Sequence, residues 1–343
     1  MTLQTINDHR KINACSNSVS RVIQRFTKPH QYPPAELALP IWKLTMLRVI
    51  RPCLLLLPVI ISNTHAQDSQ LSLLKGQVFE AAFDGTEDVG LFPRDGDGGM
   101  YTADSLAMTR LVRGNHIKEV SIAKGAGRFG DALHFTAKTK QVLLYKASGN
   151  GIHPKDNWSG TVSVWLKLNP DLDLPVGFCD PIQITSKKWN DASFFIDFDK
   201  DLPRDFRLGV FSDYSFWNPT DTNFEAIPVA KRPMITVTNP PFTSDRWTHV
   251  IFTFDNINAT DGKTSTASLY LDGKPQGSLT QPLQFTWTKT KDRPNAAVIM
   301  LGINYVGFMD NLSIWNRALS ADEVHRFHVW RNTPETLHRK SAK

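Results

Sequence analysis

The sequence predicts an all-β protein: a two-sheet antiparallel sandwich followed by a short C-terminal helix. Three observations support this prediction. Apolar and polar residues alternate in several short runs between residues 77 and 330. Gly, Pro, Asn and Asp separate these runs, and almost no helical periodicity lies between them. Strands that each bury one face, spread over about 250 residues, are typical of a sandwich, with a barrel as the structural alternative.

The strands follow from the positions of the apolar residues. Residues 161–168 alternate cleanly and place four aliphatic side chains on one face. Asp272-Gly273 then predicts a tight hairpin, since a type I′ turn needs positive φ at both positions. The apolar faces of the successive runs are Val162, Val164, Leu166 and Leu168; Phe194, Ile196 and Phe198; Phe206, Leu208 and Val210; Val250, Phe252 and Phe254; and Leu269 with Leu271.

The single predicted helix comes last. Ser320 and Glu323 have the spacing of a capping box, in which the Ser hydroxyl accepts the amide of Glu323 and the Glu side chain reaches back to the cap. Leu319 and Val324 flank the cap as a hydrophobic staple. We expect a short helix to about Trp330, followed by a mildly basic tail over residues 331–343.

Charge and composition limit the class of protein. The chain has 343 residues, 41% of them hydrophobic and 21% charged, which argues against a disordered chain. Residues 1–66 hold 8 Lys and Arg against 2 Asp and Glu, so the remainder carries 31 of each sign. The formal charge of +6 therefore belongs to the leader. A neutral body argues against nucleic acid as a partner, because phosphate binding needs a basic field.

Residues 46–66 have the three parts of a secretory signal peptide. Basic residues at Arg48 and Arg51 precede an apolar run over 53–61, and small residues end at Ala66. The run is too short for a transmembrane segment, which needs about 20 residues. We expect a protein that is secreted or held in the periplasm or cell envelope. Residues 1–45 are interpreted as a mis-assigned extension before the true start at Met46, and residues 67–76 as a linker.

Five motifs occur in order along the chain, at residues 127–135, 160–166, 247–250, 269–273 and 307–319. Together they resemble the laminin-G-like jelly rolls of the concanavalin A-like lectin/glucanase superfamily, and we take residues 77–330 as that domain. A longer signature around Cys179, Phe206 and Trp217 resembles exported proteins of planctomycete-type bacteria. The resemblance implies a concave face that binds glycan or protein, often with Ca²⁺ at its rim.

Asp310 is the strongest candidate for a metal ligand. It has the same parity as Phe308, Leu312 and Ile314, so we expect it to point inward, where an unpaired carboxylate is costly. A structural Ca²⁺ would compensate it, because this cation takes carboxylate and carbonyl oxygens. Asp84 and Asp131 are the candidate co-ligands, since the family pairs its first and last strands near such a site. The alternative is that Asp310 accepts backbone N–H groups or pairs with Arg317.

Catalytic motifs are missing from the sequence. Glucanases of the superfamily use an E-x-D-x-x-E or E-x-D-x-E strand, and neither pattern occurs here. Asp197 and Asp199 share one strand face without a Glu. About 6.6–7 Å separates such positions, so the two carboxylates could cooperate in a glycan-degrading hydrolase that uses a non-standard carboxylate pair. The other interpretation of these residues is a polar strand face leading into a turn.

Aromatic residues in polar loops are the candidates for ligand binding. Trp189, and Trp217 beside Asn218, lie in such loops, and Tyr305 is a further candidate. A flat ring stacks on the apolar face of a sugar while nearby amides bind its hydroxyls. The sequence therefore favours an exported, non-catalytic module that binds a carbohydrate or an extracellular protein. A hydrolase and a structural envelope protein are the alternatives.

Overall fold

The computed structural model describes residues 71–94, 96–287 and 297–330, where two antiparallel sheets pack face to face. The predicted sandwich is thereby confirmed. The expected extension over residues 1–45, the signal peptide over 46–66 and the tail over 331–343 lie outside the described residues.

Sixteen strands occur in the described part of the chain. They are β1 (Gln77–Ala81), β2 (Tyr101–Ala103), β3 (Leu111–Arg113), β4 (Val120–Ala123), β5 (Ala132–Phe135), β6 (Val142–Lys146), β7 (Trp158–Lys167), β8 (Cys179–Thr185), β9 (Ser193–Phe198), β10 (Phe206–Phe211), β11 (Met234–Val237), β12 (Thr248–Ile257), β13 (Thr266–Leu271), β14 (Lys274–Thr280), β15 (Val298–Ile303) and β16 (Gly307–Trp315).

Each sheet mixes strands from distant parts of the chain. The first sheet has the order β14-β13-β12-β7-β16-β5-β4, with β1 also paired to β16. The second sheet has the order β11-β10-β9-β8-β15-β6-β2-β3. Besides the helical residues 71–74, the helices are α1 (Pro170–Asp173), α2 (Tyr214–Trp217) and α3 (Ala321–Val329), with 3-10 turns at Ser148–Asn150, Phe224–Ala226 and Val229–Lys231. Across the described ranges, none of the helices has the length and apolar character that crossing a bilayer would require.

The facing sides of the two sheets form the main core. All the apolar faces expected from alternation are buried there, among them Val162 and Leu166 on β7 and Phe194 and Ile196 on β9. In each strand, every second side chain therefore points into the layer between the sheets. The other side chains face outward.

Strand β16 breaks the alternation at one point. Asp310 pairs with Trp165, and the register then shifts before Ser313. Asn311, inside this irregularity, has φ of 47°. Such a bulge moves the following side chains to the opposite face.

The bulge corrects the predicted orientation of Asp310. Met309, Leu312 and Ile314 belong to the core between the sheets. Asp310 is fully buried, as expected, but alternation from Met309 places it with Phe308 on the outer face of the first sheet. The prediction counted alternate positions back from Leu312 and Ile314 and so placed Asp310 on the inner face. The extra residue in the bulge reverses this alternation, and Asp310 lies on the outer face.

Local signals at the chain turns are confirmed. Asp272 and Gly273 have φ of 50° and 72°, as the type I′ turn between β13 and β14 requires. Ser320 and Glu323 form the reciprocal capping box at the start of α3. Cys179 is a free, buried thiol.

Helix α3 covers part of the outer face of the first sheet. Val324 and Phe327 pack there with Trp315 in a second hydrophobic cluster. Residues 71–74, expected to be part of a linker, are helical, and Leu73 and Leu74 join this cluster. The indole N–H of Trp315 donates to the Leu73 carbonyl at 2.9 Å. This part of the expected linker is therefore packed against the domain.

A stack of rings joins α3 to the sheet. His249 on β12 lies flat against Trp165, with ring centroids 4.1 Å apart. Its Nδ1 is 3.3 Å from Nδ1 of His328 on α3, and its Nε2 is 2.8 Å from the Ser163 hydroxyl. Burial lowers the pKa of both histidines. The charges of His328 and Arg128 lower the pKa of His249 further, and those of His325, Arg128 and Arg246 lower the pKa of His328 against the opposing charge of Asp272. The stack therefore favours the neutral form of both histidines.

Replacing His328 with Gln should weaken the loss of stability in acid. Both histidines have folded pKa values below the unfolded value near 6.5, so the unfolded chain binds more protons and stability falls as the pH drops through that value. Gln keeps a polar partner for His249 but cannot be protonated. Between pH 7.5 and 5.0 we expect the fall in melting temperature to be smaller in the variant by about 2–4 °C. Equal falls in the two proteins, measured by circular dichroism, would contradict this role.

Candidate functional site

Trp189 presents an ordered, partly exposed ring. It lies in the loop from β8 to β9, and 41% of its surface is exposed. Phe195, Phe211 and Phe224 contact it edge to face, with centroid distances of 6.2, 5.4 and 5.2 Å. Three such contacts fix the plane of the indole while part of it stays open to solvent.

Trp217 and Asn218 hold the neighbouring loop in place. The indole N–H of Trp217 donates to the carbonyl of Asn190 at 2.8 Å, next to Trp189. Asn218 is buried, and its amide donates to the Thr222 carbonyl at 2.9 Å and accepts the Thr222 N–H at 3.0 Å. The polar groups of these two residues are thus engaged within the protein. Their place in the fold is support for the Trp189 loop.

Tyr305 does not join this surface, which corrects its expected position. The residue is 1% exposed, and its ring packs on Phe135 in the core at 5.5 Å. Its hydroxyl donates to the Phe308 carbonyl at 2.9 Å. Gly302 and Asn304 have φ of 74° and 55°, and this tight turn directs the ring inward. Sequence alone showed a polar loop and could not show that direction.

Ion pairs tie the two aromatic loops together. Lys187 Nζ lies 2.7 Å from Asp213 Oδ1 and 3.2 Å from Asp191 Oδ1. Asp191 Oδ1 also accepts the backbone N–H of Tyr214 at the start of α2. Asp213 in turn accepts the Thr286 hydroxyl at 2.7 Å. These contacts crosslink the loop that carries Trp189 and the loop that carries Trp217.

The three candidate metal ligands meet at one loop, residues 125–131, here called the amide loop. Asp310 Oδ2 accepts the N–H groups of Arg128 at 2.6 Å and Phe129 at 3.1 Å. Asp84 Oδ1 accepts the N–H of Asp131 at 2.8 Å, and Asp131 Oδ1 accepts the N–H of Gly125 at 2.8 Å. The structure thus surrounds these carboxylates with backbone donors.

Close approach of backbone to carboxylate requires glycine in this loop. A Cβ on Gly127 would lie 2.1 Å from the Asp131 carbonyl and 2.9 Å from Asp310 Oδ2. A Cβ on Gly130 would lie 2.3 Å from Asp84 Oδ1. Neither distance is possible for a real side chain, so the motif's glycines shape the carboxylate contacts.

The oxygens of this rim offer an incomplete set of metal ligands. Among the described residues, no three His, Cys, Asp or Glu side chains stand close enough to hold a metal ion. Asp310 Oδ1 accepts the side-chain amide of Asn311 at 2.9 Å, and the buried Asn311 Oδ1 has no hydrogen-bond donor among the residues that the structure describes. Burial raises the pKa of Asp310 to about 7, although the hydrogen bonds from the N–H groups of Phe129 and Arg128 act to lower it. Arg317 pairs with Glu323, not with Asp310.

Asp197 and Asp199 are bound to one cation. Both oxygens of Asp197 accept from the Arg207 guanidinium, with Nε to Oδ1 at 2.9 Å and Nη2 to Oδ2. Arg207 Nη1 also donates to Asp199 Oδ2 at 3.1 Å. Burial, with the charge of Asp197 beside it, raises the pKa of Asp180. The predicted pair therefore shares a strand face, but Asp197 has both oxygens engaged by Arg207.

One groove was not anticipated from the sequence. It opens at the end of the second sheet, beside the short strands β2 and β3, and is lined by Thr102, Asp104, Arg110, Val112, His116 and Gln141. Strands of three residues carry too little alternation to be recognised. The usable signal was a cluster of charged and amide residues flanking them.

Comparison with known families agrees with this architecture. A laminin-G-type family profile, described as the concanavalin A-like lectin/glucanases superfamily, matches residues 145–325, more than half of the chain. The chain belongs to the concanavalin A-like lectin/glucanase superfamily. In this superfamily member the matched region runs from β6 to α3 and holds both Trp189 and Asp310. A search of curated proteins gave no match.

Solved structures resemble this superfamily member at low identity. Domain 4 of AbnA, a GH43 extracellular arabinanase from Geobacillus stearothermophilus in complex with arabinotriose, is 17% identical over 74% of this chain and 98% of that chain, with a TM-score of 0.41. The binding domain of Paraclostridial Mosquitocidal Protein 1 is 17% identical over 75% and 52%, with a TM-score of 0.43. The botulinum neurotoxin serotype D ligand binding domain in complex with N-acetylneuraminic acid is 9% identical over 76% and 52%, with a TM-score of 0.44. The present chain spans about half the length of the last two chains.

Replacing Asp310 with Ala should destabilise the domain by about 2–4 kcal/mol, because the N–H groups of Arg128 and Phe129 lose their buried, charged acceptor. Asp310→Asn keeps a side-chain oxygen that accepts the two backbone N–H groups. Asn311 can turn its side-chain amide to keep its hydrogen bond with the new Asn side chain, so we expect the free energy of unfolding to fall by only about 1 kcal/mol. Urea denaturation at pH 8 measures both. Equal losses in the two variants would show that the acceptor is not what matters.

Proposed function

We propose that this protein is an exported, non-catalytic binding module that recognises a carbohydrate through the exposed ring of Trp189. The superfamily assignment supports a binding or hydrolytic role but does not choose between them, since one fold hosts many functions. The choice rests on the site. The observation that carries the proposal is the fixed, 41% exposed indole among polar loop residues.

A stacking ring binds sugar well when its orientation is set in advance. The three edge-to-face contacts of Trp189 remove the freedom that a mobile side chain would lose on binding. The side-chain amide of Asn190 has no hydrogen-bond partner in the described part of the protein and lies next to this ring in sequence. It supplies a donor and an acceptor for sugar hydroxyls.

The state of Asp197 and Asp199 supports a module without hydrolytic activity. A retaining hydrolase needs one carboxylate free to attack and another to donate a proton. Both oxygens of Asp197 are bound to Arg207, and Asp199 bonds to the same guanidinium. Both carboxylates are thus held by one guanidinium in a structural ion cluster.

Export is part of the proposal on sequence grounds. Residues 46–66 have the basic, apolar and small-residue parts of a signal peptide. An extracellular glycan or protein surface would then be the setting in which the aromatic loop meets its partner.

We also propose a structural Ca²⁺ beside Asp310. The buried Asn311 Oδ1, which lacks a donor, supports this proposal, because an unsatisfied buried oxygen is costly and a cation would satisfy it. Asp84 and Asp131 do not stand close enough to Asp310 to form a three-carboxylate site as described, so they would have to approach the ion, and backbone carbonyls would complete the oxygen set that it prefers. When bound, the ion would supply structural stabilisation only.

Trp189→Ala should lower affinity for the carbohydrate ligand by about tenfold or more, since it removes the stacking surface. The ligand is found first on a glycan array with the intact protein, and affinity is then measured by calorimetry. Phe92→Ala is the matched control, because Phe92 is also 41% exposed but lies in a different loop. An unchanged affinity in Trp189→Ala, or an equal loss in Phe92→Ala, would reject Trp189 as the binding ring.

Calcium should raise the melting temperature of the full chain relative to a chelator. A ligand at 100 times its Kd adds about 2.7 kcal/mol. Asp310→Asn serves as the comparison, since it weakens the rim without removing the acceptor of the amide loop. The same melting temperature in calcium chloride and in EGTA would contradict the metal proposal and leave the carbohydrate proposal unaffected.

A further inference from the structure

The groove beside β2 and β3 has the size and chemistry of a small-molecule site. Its volume is about 320 Å³, near the lower end of the range of about 300–1,000 Å³ for ligand pockets. Five of its six lining residues are polar: Thr102, Asp104, Arg110, His116 and Gln141, with Val112 as the apolar member. None of them belongs to the Trp189 loop or to the amide loop.

The sheet register places these polar groups on the inner side of the second sheet. Thr102 is paired with Leu143 on β6 and with Val112 on β3. Leu143 belongs to the core between the sheets, so Thr102 and Val112 share that face. Asp104 and Arg110 extend the same face, because the N–H of Asp104 donates to the Arg110 carbonyl. Inner faces of sandwiches are ordinarily apolar, and here β3 is the last strand of the sheet order.

Asp104 and Arg110 lie opposite each other yet form no ion pair. Asp104 accepts the Thr109 hydroxyl and the backbone N–H of Arg110, the latter at 3.2 Å. These hydrogen bonds, with that of Thr109 the largest contribution, lower the pKa of Asp104 and keep it negative. The guanidinium of Arg110 makes no hydrogen bond or ion pair with any residue that the structure describes. Opposite charges at cross-strand positions can form an ion pair. Because Asp104 and Arg110 do not, both charged groups are available to a ligand.

The rest of the lining has defined hydrogen-bonding roles. His116 Nε2 lies 2.8 Å from the Arg113 carbonyl, so Nε2 carries the proton and Nδ1 is left as the acceptor. The Thr102 hydroxyl donates to the Gly114 carbonyl and accepts the N–H of His116. The side-chain amide of Gln141 makes no hydrogen bond with the residues described. The groove thus holds one free cation, one anion and one free amide around an apolar wall.

We propose that this groove binds an acidic sugar unit, a single pyranose ring that carries a carboxylate. Arg110 takes the carboxylate, for which its planar fork is suited. Asp104 and Gln141 bind ring hydroxyls, and Val112 contacts the ring carbons. That the ligand is a sugar rests on the proposed carbohydrate-binding function, whereas the need for a carboxylate rests on the groove alone.

The test uses the full chain labelled with ¹⁵N and titrated with three probes: methyl glucuronide, methyl glucoside and alanine. We expect the glucuronide to shift amide signals of β2 and β3, and the glucoside, which lacks the carboxylate, to bind about tenfold more weakly or less. Binding of alanine as strong as that of the glucuronide would overturn the sugar assignment in favour of an amino acid. No shift at β2 and β3 with the glucuronide would overturn the site.

Two substitutions at one position make the assignment specific. Arg110→Gln should weaken glucuronide binding by about tenfold or more, and Arg110→Lys should restore part of it, because charge is kept without the planar fork. The control is Lys274→Gln. Lys274 is exposed on β14 in the first sheet, so this variant loses one positive charge away from the groove, and it should bind the glucuronide with the affinity of the unaltered protein. Equal affinity of Arg110→Gln and the unaltered protein would reject the proposal.

The Trp189→Ala variant separates this site from the one under "Proposed function". It should lose array binding yet still bind methyl glucuronide with unaltered affinity. Loss of glucuronide binding in Trp189→Ala would show that the groove is not an independent site.

Discussion

The rest of the structure depends on one constraint: each of the two sheets must bury a continuous apolar face against the other. That requirement fixes the side-chain parity of every central strand, from Val162 on β7 to Phe252 on β12. Burial of this area supplies the main free energy of folding, and it leaves little choice in the core. Residues that recognise ligands are consequently confined to loops, to the outer faces and to the open edges of the sandwich.

Buried polar groups on the outer face of the first sheet follow a second rule, that each must find a partner. Asp310 is met by the amide loop, whose glycines allow backbone N–H groups to approach it. Above the same sheet, Trp165 stacks on His249, and Arg128 of the amide loop lies 5.2 Å from the Trp165 ring. The carboxylate, the amide loop, the ring stack and α3 therefore form one layer over part of this face.

The proposed recognition groups lie on the second sheet. Trp189 and its supporting loops extend from the β8–β10 side, and the polar groove lies at the β2–β3 edge. The two surfaces differ in chemistry. One offers a rigid aromatic plane, and the other offers separated charges with free hydrogen-bonding groups. Recognition at both would let one module read two features of a polymer, its apolar ring faces and its acidic substituents.

The sequence by itself determined the sandwich, the capped C-terminal helix, the Asp272-Gly273 turn and the burial of Asp310, because each depends on local periodicity or on a short motif. The tertiary structure decided which face Asp310 occupies, since one bulge residue reverses parity in a way that composition does not reveal. It also decided that Tyr305 is core, that Trp217 and Asn218 are supports, and that Asp104 and Arg110 share a groove. These outcomes depend on contacts between strands far apart in the chain, and no local pattern encodes such neighbours.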